Sequence, residues 1–258
     1  MTEWLSIADA VIAHKLTPED GKCLEIGTWK GGWILSLLSN HSQRMGVGID
    51  PYPNLDYIRD YFLEKCRIIA PRRVTLFDSI ESFNQSKLKD LYFDVIHLDG
   101  EHSQKAIERD FLFAVNCLNK KGIIIVDDIF YHDYPGVTAG LFNQLPNSGL
   151  SPFLFSEKKL YLCRKEDYAE LYSRTRLLMD HLQVPFLEDQ IITKNPGPYF
   201  QSNSINGFSL LVINTFQFNQ SKLVRLLGLR EKFSVKRLIV SWCPPIIITK
   251  YRRWRNST

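Results

Sequence analysis

The chain reads as a doubly wound α/β fold, and three observations predict it. Five short apolar runs are each followed by a segment of helical spacing; the first run ends in a glycine-rich turn; and carboxylates fall repeatedly at the ends of the runs. Strands that alternate with helices form a parallel sheet covered on both faces, and ligands collect outside its carboxyl edge.

Taken in order, Thr2 to His14 places Trp4, Leu5, Ala8, Val11 and Ile12 at helical spacing, so residues 1–20 are expected to form a helix covering the sheet or the mouth of a ligand site. Cys23 to Gly32 reads as a buried strand turning on Gly27, Gly31 and Gly32 into a helix that carries Trp33, Ile34, Leu37 and Leu38. The turn lacks the Gly-x-Gly-x-x-Gly of a dinucleotide site and the Gly-Lys-Ser/Thr of a phosphate loop. Glu25 on that strand suits a cationic or hydroxyl-bearing ligand. The second strand, Met45 to Ile49, ends in Asp50, which at this distance from a glycine turn is placed to accept both hydroxyls of a ribose.

Leu55 to Ile69 reads as a helix and Val74 to Phe77 as a third strand, followed by Asp78-Ser79 and a polar helix from Ile80 to about Leu88. Tyr92 to Leu98 is nearly continuous in apolar residues, as a strand buried on both faces requires, and runs into Asp99-Gly-Glu-His102. Ser103 caps a helix whose apolar stripe is Ile107, Phe111, Ala114, Val115 and Leu118, and Lys121-Gly122 ends it. Ile123 to Val126 is a fifth strand closed by Asp127-Asp128, and Pro135 opens a further helix toward Leu145.

Pro152 to Phe155 and Leu160 to Arg164 form an antiparallel pair around the charged turn Glu157-Lys158-Lys159. The expected product is a Rossmann-like, seven-stranded sheet with a terminal antiparallel pair, spanning residues 21–165. Beyond it, an extension over 166–258 begins with a helix from Tyr168 to Leu182. Loops follow around Pro185, Asn195-Pro-Gly-Pro198 and the polar run Gln201 to Asn206, and Phe208 to Phe218 has strand-like content.

Composition narrows the classes. With 45% hydrophobic residues the chain has ample core, and no stretch is long and apolar enough to span a bilayer. The start, Met1-Thr-Glu-Trp-Leu, carries no export signal, so a cytoplasmic location is expected. Five dispersed cysteines without Cys-x-x-Cys or zinc spacing read as buried free thiols in a reducing compartment. The net charge of +4 belongs to the tail, where Lys222 to Thr258 holds ten Lys or Arg against one acid, Glu231.

Asp99, Asp127 and Asp128 fall at the ends of adjacent strands. Three carboxylates drawn together repel unless a cation joins them, and an all-oxygen set suits Mg²⁺, Mn²⁺ or Ca²⁺; taken singly, each also reads as a cap or turn residue. Asp78 and Ser79 read either as ligand contacts or as a helix N-cap. Trp29 and Trp33 read as walls of the ligand site or as core, and His132 and Asp133 as reaching a substrate or as a solvated loop.

Leu24-Glu-Ile-Gly-Thr-Trp-Lys-Gly-Gly32 followed by Gly48-Ile-Asp50 resembles the binding region of class I S-adenosylmethionine-dependent methyltransferases. His97-Leu-Asp-Gly-Glu-His-Ser103, Gly122-Ile-Ile-Ile-Val-Asp-Asp128 and Tyr134-Pro-Gly-Val137 are similar to the metal-dependent O-methyltransferases that act on sugars of macrolide and aminocoumarin antibiotics. The resemblance covers about Gly21 to Arg164. It implies that Glu25, Gly27, Thr28 and Gly31 line the methionine part of S-adenosylmethionine, Asp50 holds the ribose, and Asp78 and Ser79 contact the adenine, with Asp99 at the cofactor's edge. It further implies that Asp99, Asp127 and Asp128 hold Mg²⁺ (or Mn²⁺), to which vicinal hydroxyls bind, and that His102, with Glu101 as the alternative, takes the hydroxyl proton.

The acceptor implied is a hydroxylated small molecule such as a sugar or glycan precursor. The tail interleaves Arg225, Arg230, Lys232, Lys236 and Arg237 with Leu226, Leu227, Phe233 and Ile239, which suits an anionic membrane surface or a second subunit in a homo-oligomer, and would place the enzyme peripherally on a membrane. A nucleic-acid methyltransferase recruited by the tail is the second reading, although no Asn/Asp-Pro-Pro-Tyr/Phe motif follows strand four. A cofactor-binding scaffold without turnover is the third, and an NAD-dependent oxidoreductase the fourth.

Overall fold

A computed structural model describes residues 9, 12–39, 43–156, 158–181, 199–205 and 208–214. They belong to one compact unit, Met1–Phe218; the second unit, Asn219–Thr258, with the basic tail, lies outside the described residues, as does most of the expected N-terminal helix. Of that helix, residues 12–16 are helical.

Five strands run parallel: β1 (Lys22–Ile26), β2 (Met45–Ile49), β3 (Val74–Phe77), β4 (Phe93–Leu98) and β5 (Leu118–Val126). Then β6 (Leu150–Ser156) and β7 (Lys159–Arg164) form the expected antiparallel pair, with β7 against β5. Two more strands, β8 (Tyr199–Ile205) and β9 (Phe208–Asn214), extend the sheet from β6, giving the order β3-β2-β1-β4-β5-β7-β6-β9-β8. The helices are α1 (Gly32–Ser39), α2 (Asp56–Ile69), α3 (Ile80–Asn84), α4 (Gln104–Cys117), α5 (Pro135–Gln144) and α6 (Tyr168–His181).

The apolar runs of β4 and β5 are buried between the helical layers, where Leu24, Ile96 and Ile124 meet Phe83, Phe111 and Leu141. Ser103 caps α4 as expected, accepting from the Ala106 amide at 3.3 Å.

Four local expectations are corrected. The polar run from Gln201 is a strand rather than a loop, because pairing with β9 satisfies its backbone and leaves the side chains of residues 202–204 exposed. Lys121-Gly122 does not end α4; the helix stops at Cys117, and residues 119–122 bulge out of β5 with Lys121 at φ 58°. The helix after β3 stops at Asn84 rather than near Leu88, and the sheet has nine strands among the described residues rather than seven, because β9 adds to β6 and β8 to β9.

The chain runs β1 to β3 toward one edge and β4 to β5 toward the other, so the crevice opens between β1 and β4. Backbone bonds set a row of strand ends along it. Asp50 N donates to Phe77 O (3.0 Å), Gly27 N to Ile49 O (2.8 Å), Asp99 N to Ile26 O (2.8 Å) and Asp127 N to Leu98 O (3.0 Å). The ends of four successive strands are thereby aligned at one edge, where Asp50, Asp99 and Asp127 present carboxylates.

Candidate active site

On the β1 side of the crevice the chain turns at Gly27 with φ 86°, where a Cβ would overlap the Asp99 carbonyl, and again at Gly31 with φ 77°, against the Phe62 ring. Only glycine fits either position. Asp50 clamps the turn: Oδ2 accepts from Trp29 N at 2.8 Å and Oδ1 from Tyr52 N at 3.0 Å. Each oxygen keeps a second lone pair for a ligand hydroxyl.

Tyr52, which the sequence reading did not single out, is buried under the turn. Its hydroxyl donates to Trp29 O at 2.6 Å, so the Thr28 hydroxyl, also at 2.6 Å, donates to it. Thr28 therefore faces inward rather than into the crevice. Trp29 stands half exposed at the mouth, whereas Trp33 is core, stacked on His97 with centroids 4.5 Å apart. Ser79 caps α3 in a reciprocal box with Ser82, and Asp78 is exposed, 3.7 Å from Arg59.

Beneath the turn lies a buried polar chain that crosses the sheet. Glu25 on β1 faces His97 on β4 in register, with Oε1 at 3.0 Å from Nδ1, while Oε2 accepts from Ile34 N at 3.3 Å. His97 Nε2 is 3.0 Å from Lys159 Nζ, and Lys159 also donates to Asp127 Oδ2. An ammonium only donates, so Nε2 must accept and Nδ1 must carry the proton that goes to Glu25. Burial, then the Lys159 charge, holds His97 well below its ordinary value, consistent with that neutral tautomer. Burial, then the charge of Asp99, pushes Glu25 well above the usual carboxylate range.

The β5–β7 ladder explains the lysines. Val126 pairs with Leu160, so one antiparallel step further places Lys159 opposite Asp127 and Lys158 opposite Asp128. Lys159 is 1% exposed. Burial would push the Asp127 carboxyl up, but Lys159, His97 and Lys158 outweigh it and hold the group below its ordinary value. Its other oxygen accepts from Asp128 N at 2.7 Å.

Lys158 donates to Asp128 Oδ1 and sits over the Tyr131 ring at 5.4 Å, on a half-buried side chain.

On the outer edge of this cluster, His102 stacks on Tyr134 with centroids 3.8 Å apart and planes within 8°. Its Nε2 lies 3.0 Å from Asp128 Oδ2 and 3.8 Å from Asp99 Oδ1, so an imidazolium there is held by both carboxylates. Those carboxylates push the imidazole up to about 9. Asp99 is itself raised, by burial and then by Asp127. The structure thus brings His102 to the carboxylates; Glu101 is exposed, and its charge is felt at Arg109 and Asp110 on α4. His132 and Asp133 pair at 3.2 Å in solvent.

One donor atom each from Asp99, His102 and Asp128 lie within 4.8 Å of one another, as do those of His97, Asp99 and Asp127. The first trio fits a divalent cation: the ring nitrogen of His102 has no hydrogen-bond partner, and only the partly exposed Lys158 need move from Asp128. In the second, Lys159 stands on Asp127 and donates to His97.

Comparisons with known proteins agree with this layout. Residues 24–129 match a family described as a methyltransferase domain. An uncharacterised protein, R132, of Acanthamoeba polyphaga mimivirus is 25% identical over 143 residues, which are 48% of this chain and 57% of that protein. Among solved structures, the calicheamicin-biosynthesis TDP-rhamnose 3'-O-methyltransferase CalS11 is 15% identical with a TM-score of 0.48, over 62% of this chain and 77% of that one. The O-methyltransferase TomG of Streptomyces achromogenes, in complex with S-adenosylmethionine, is 14% identical with a TM-score of 0.46, over 60% and 78%. The glycine turn, Asp50, Asp99, Asp127 and Asp128 all lie inside the matched stretch, residues 24–129, which is similar to a methyltransferase domain.

Proposed function

We propose that the chain transfers the methyl group of S-adenosylmethionine to a hydroxyl of a small molecule, with a sugar or glycan precursor as the acceptor class. The observation that carries this is the carboxylate row at the crevice. Asp50 is clamped to the glycine turn with lone pairs free for a ribose, and buried Glu25 and partly exposed Asp99 are both raised, by desolvation and by their neighbours' negative charge. Such a site favours a cationic ligand, and S-adenosylmethionine carries a sulfonium and an ammonium. Trp29 and the Gly27–Gly31 turn would flank the methionine portion.

On the acceptor side, Tyr131, Tyr134 and His102 offer flat apolar faces beside polar groups, which suits a ring bearing several hydroxyls. Asp99, Asp128 and His102 would hold a divalent cation, Mg²⁺ or Mn²⁺, whose chemistry there is to acidify and orient a hydroxyl. His102 Nε2 either ligates that cation or, with the cation held by Asp99 and Asp128 alone, receives the hydroxyl proton, since one nitrogen cannot do both; the crevice would align oxygen, methyl and sulfur for in-line transfer.

The test is calorimetric titration of the purified chain with S-adenosylmethionine beside Asp50→Ala, then labelled methyl transfer to a panel of sugars with Mg²⁺ or with EDTA. Micromolar-range binding that Asp50→Ala weakens at least about tenfold is expected, given the charge-assisted bonds at stake. Failure of folded wild-type protein to bind the cofactor would end this reading.

A further inference from the structure

Lys159 has no part in the chemistry just described, yet it is the most deeply placed charge at the site. A buried ammonium is costly unless fully paired, and here it joins the two halves of the crevice. On one side it donates to His97, which in turn donates to Glu25 under the cofactor turn; on the other it donates to Asp127 at the acceptor edge. The charged and titratable groups that face it are His97 from β4, Asp127 and Asp99 from the strand ends, Lys158 from its own turn, and Asp9, whose Oδ1 accepts from the Tyr161 hydroxyl at 2.7 Å.

Asp127 is fully engaged by this arrangement. Oδ2 is held by Lys159, and Oδ1 takes the Asp128 amide with Lys158 at 3.4 Å. Asp128 differs: Oδ1 meets the partly exposed Lys158, and Oδ2 faces His102. Two aspartates adjacent in sequence therefore stand in different electrostatic settings.

We propose that Lys159 is a resident cation and positioning residue of the acceptor site, tied through His97 to Glu25, and that it withdraws Asp127 from the ligands open to a divalent cation, leaving Asp99, Asp128 and His102. This rests on the acceptor-site reading above. It predicts a sign that no purely structural role would produce: removing the lysine charge frees a carboxylate and lifts a repulsion, so an added cation binds more tightly.

The experiment is Mn²⁺ binding to the purified full-length chain, followed by electron paramagnetic resonance, with S-adenosylmethionine binding measured separately by calorimetry. Lys159→Met is expected to bind Mn²⁺ at least about tenfold more tightly than wild type, since one unit charge within a few ångströms is removed. Lys159→Arg should keep the wild-type affinity, and Lys159→Met combined with Asp127→Asn should return to it. Lys159→Met protein that still binds the methyl donor but shows unchanged or weaker Mn²⁺ affinity overturns the proposal. Should that variant not fold, Asp127→Asn decides: a loss of affinity clearly smaller than that of Asp128→Asn supports it, since only the latter removes a ligand as well as a charge, and a loss as large or larger overturns it. Loss of S-adenosylmethionine binding by wild type would strike the functional reading instead, leaving the Mn²⁺ result to stand by itself.

Discussion

At the scale of single residues, His102 shows how neighbours decide a role. Free imidazole titrates near 6.5, but with Asp128 at 3.0 Å and Asp99 at 3.8 Å the ring is pushed up to about 9 and is cationic at neutral pH. It accepts a substrate proton only once the carboxylates are offset by other positive charge. The same shift has a consequence for stability. A pKa higher in the folded than in the unfolded state contributes stability that is complete below about 6.5 and lost as the pH rises through about 9. The urea midpoint of wild type should therefore drop between pH 6.5 and 9 by more than that of His102→Gln. Equal drops in the two proteins would show that the carboxylates do not hold the proton on the ring.

At the scale of elements, the glycine turn is held from below as well as shaped by its glycines. The Tyr52 hydroxyl donates to Trp29 O and accepts from Thr28, while Asp50 gathers the Trp29 and Tyr52 amides, so the segment just after β2 carries both clamps of a turn that follows β1. Tyr52→Phe leaves a buried hydroxyl and a carbonyl without their partner, a loss of about 1–3 kcal/mol. It should lower the thermal midpoint and weaken S-adenosylmethionine binding without touching the cofactor directly; unchanged affinity in calorimetry would show that the glycines alone shape the turn. Asp50 was legible because an acid at a strand end follows from topology. Tyr52 was not, since a tyrosine three residues past a strand end gives no periodic signal. Lys158 and Lys159 sat in plain view in the charged turn between two expected strands, and counting the antiparallel ladder back from Leu160 would have set them against Asp128 and Asp127. What hid them was the habit of reading a charged turn as solvated, when this one folds over the carboxyl edge of the sheet. The strand at Tyr199–Ile205 was hidden for the opposite reason: its polar residues suit a loop, and only the partner β9 makes them an edge strand.

At the scale of the whole molecule, charge is divided along the sequence. The sheet, its order and the carboxyl edge follow from repeated strand-helix steps, and the net acidic body is what a site for a cationic cofactor requires. The basic residues from Lys222 onward lie in sequence among Leu226, Leu227, Phe233, Ile239 and Trp254, a mixture that suits an anionic bilayer. We expect the full chain to sediment with vesicles containing phosphatidylserine and to stay in solution with pure phosphatidylcholine. Each Lys or Arg near such a surface is worth about 1 kcal/mol. Replacing Arg252, Arg253 and Arg255 by Gln in the intact chain should thus weaken binding by about a hundredfold, and raising the salt should do so progressively as the Debye length shrinks. Equal binding to neutral and anionic vesicles, or tight salt-sensitive binding to RNA in place of either, would assign the tail to another partner. The residues assigned above to the cofactor fall between Glu25 and Asp99, far in sequence from the tail, so S-adenosylmethionine affinity is expected to be the same in the triple variant and in wild type. A tail that changed that affinity would belong to the catalytic apparatus, and the separation of charge along the chain would then reflect one site rather than two.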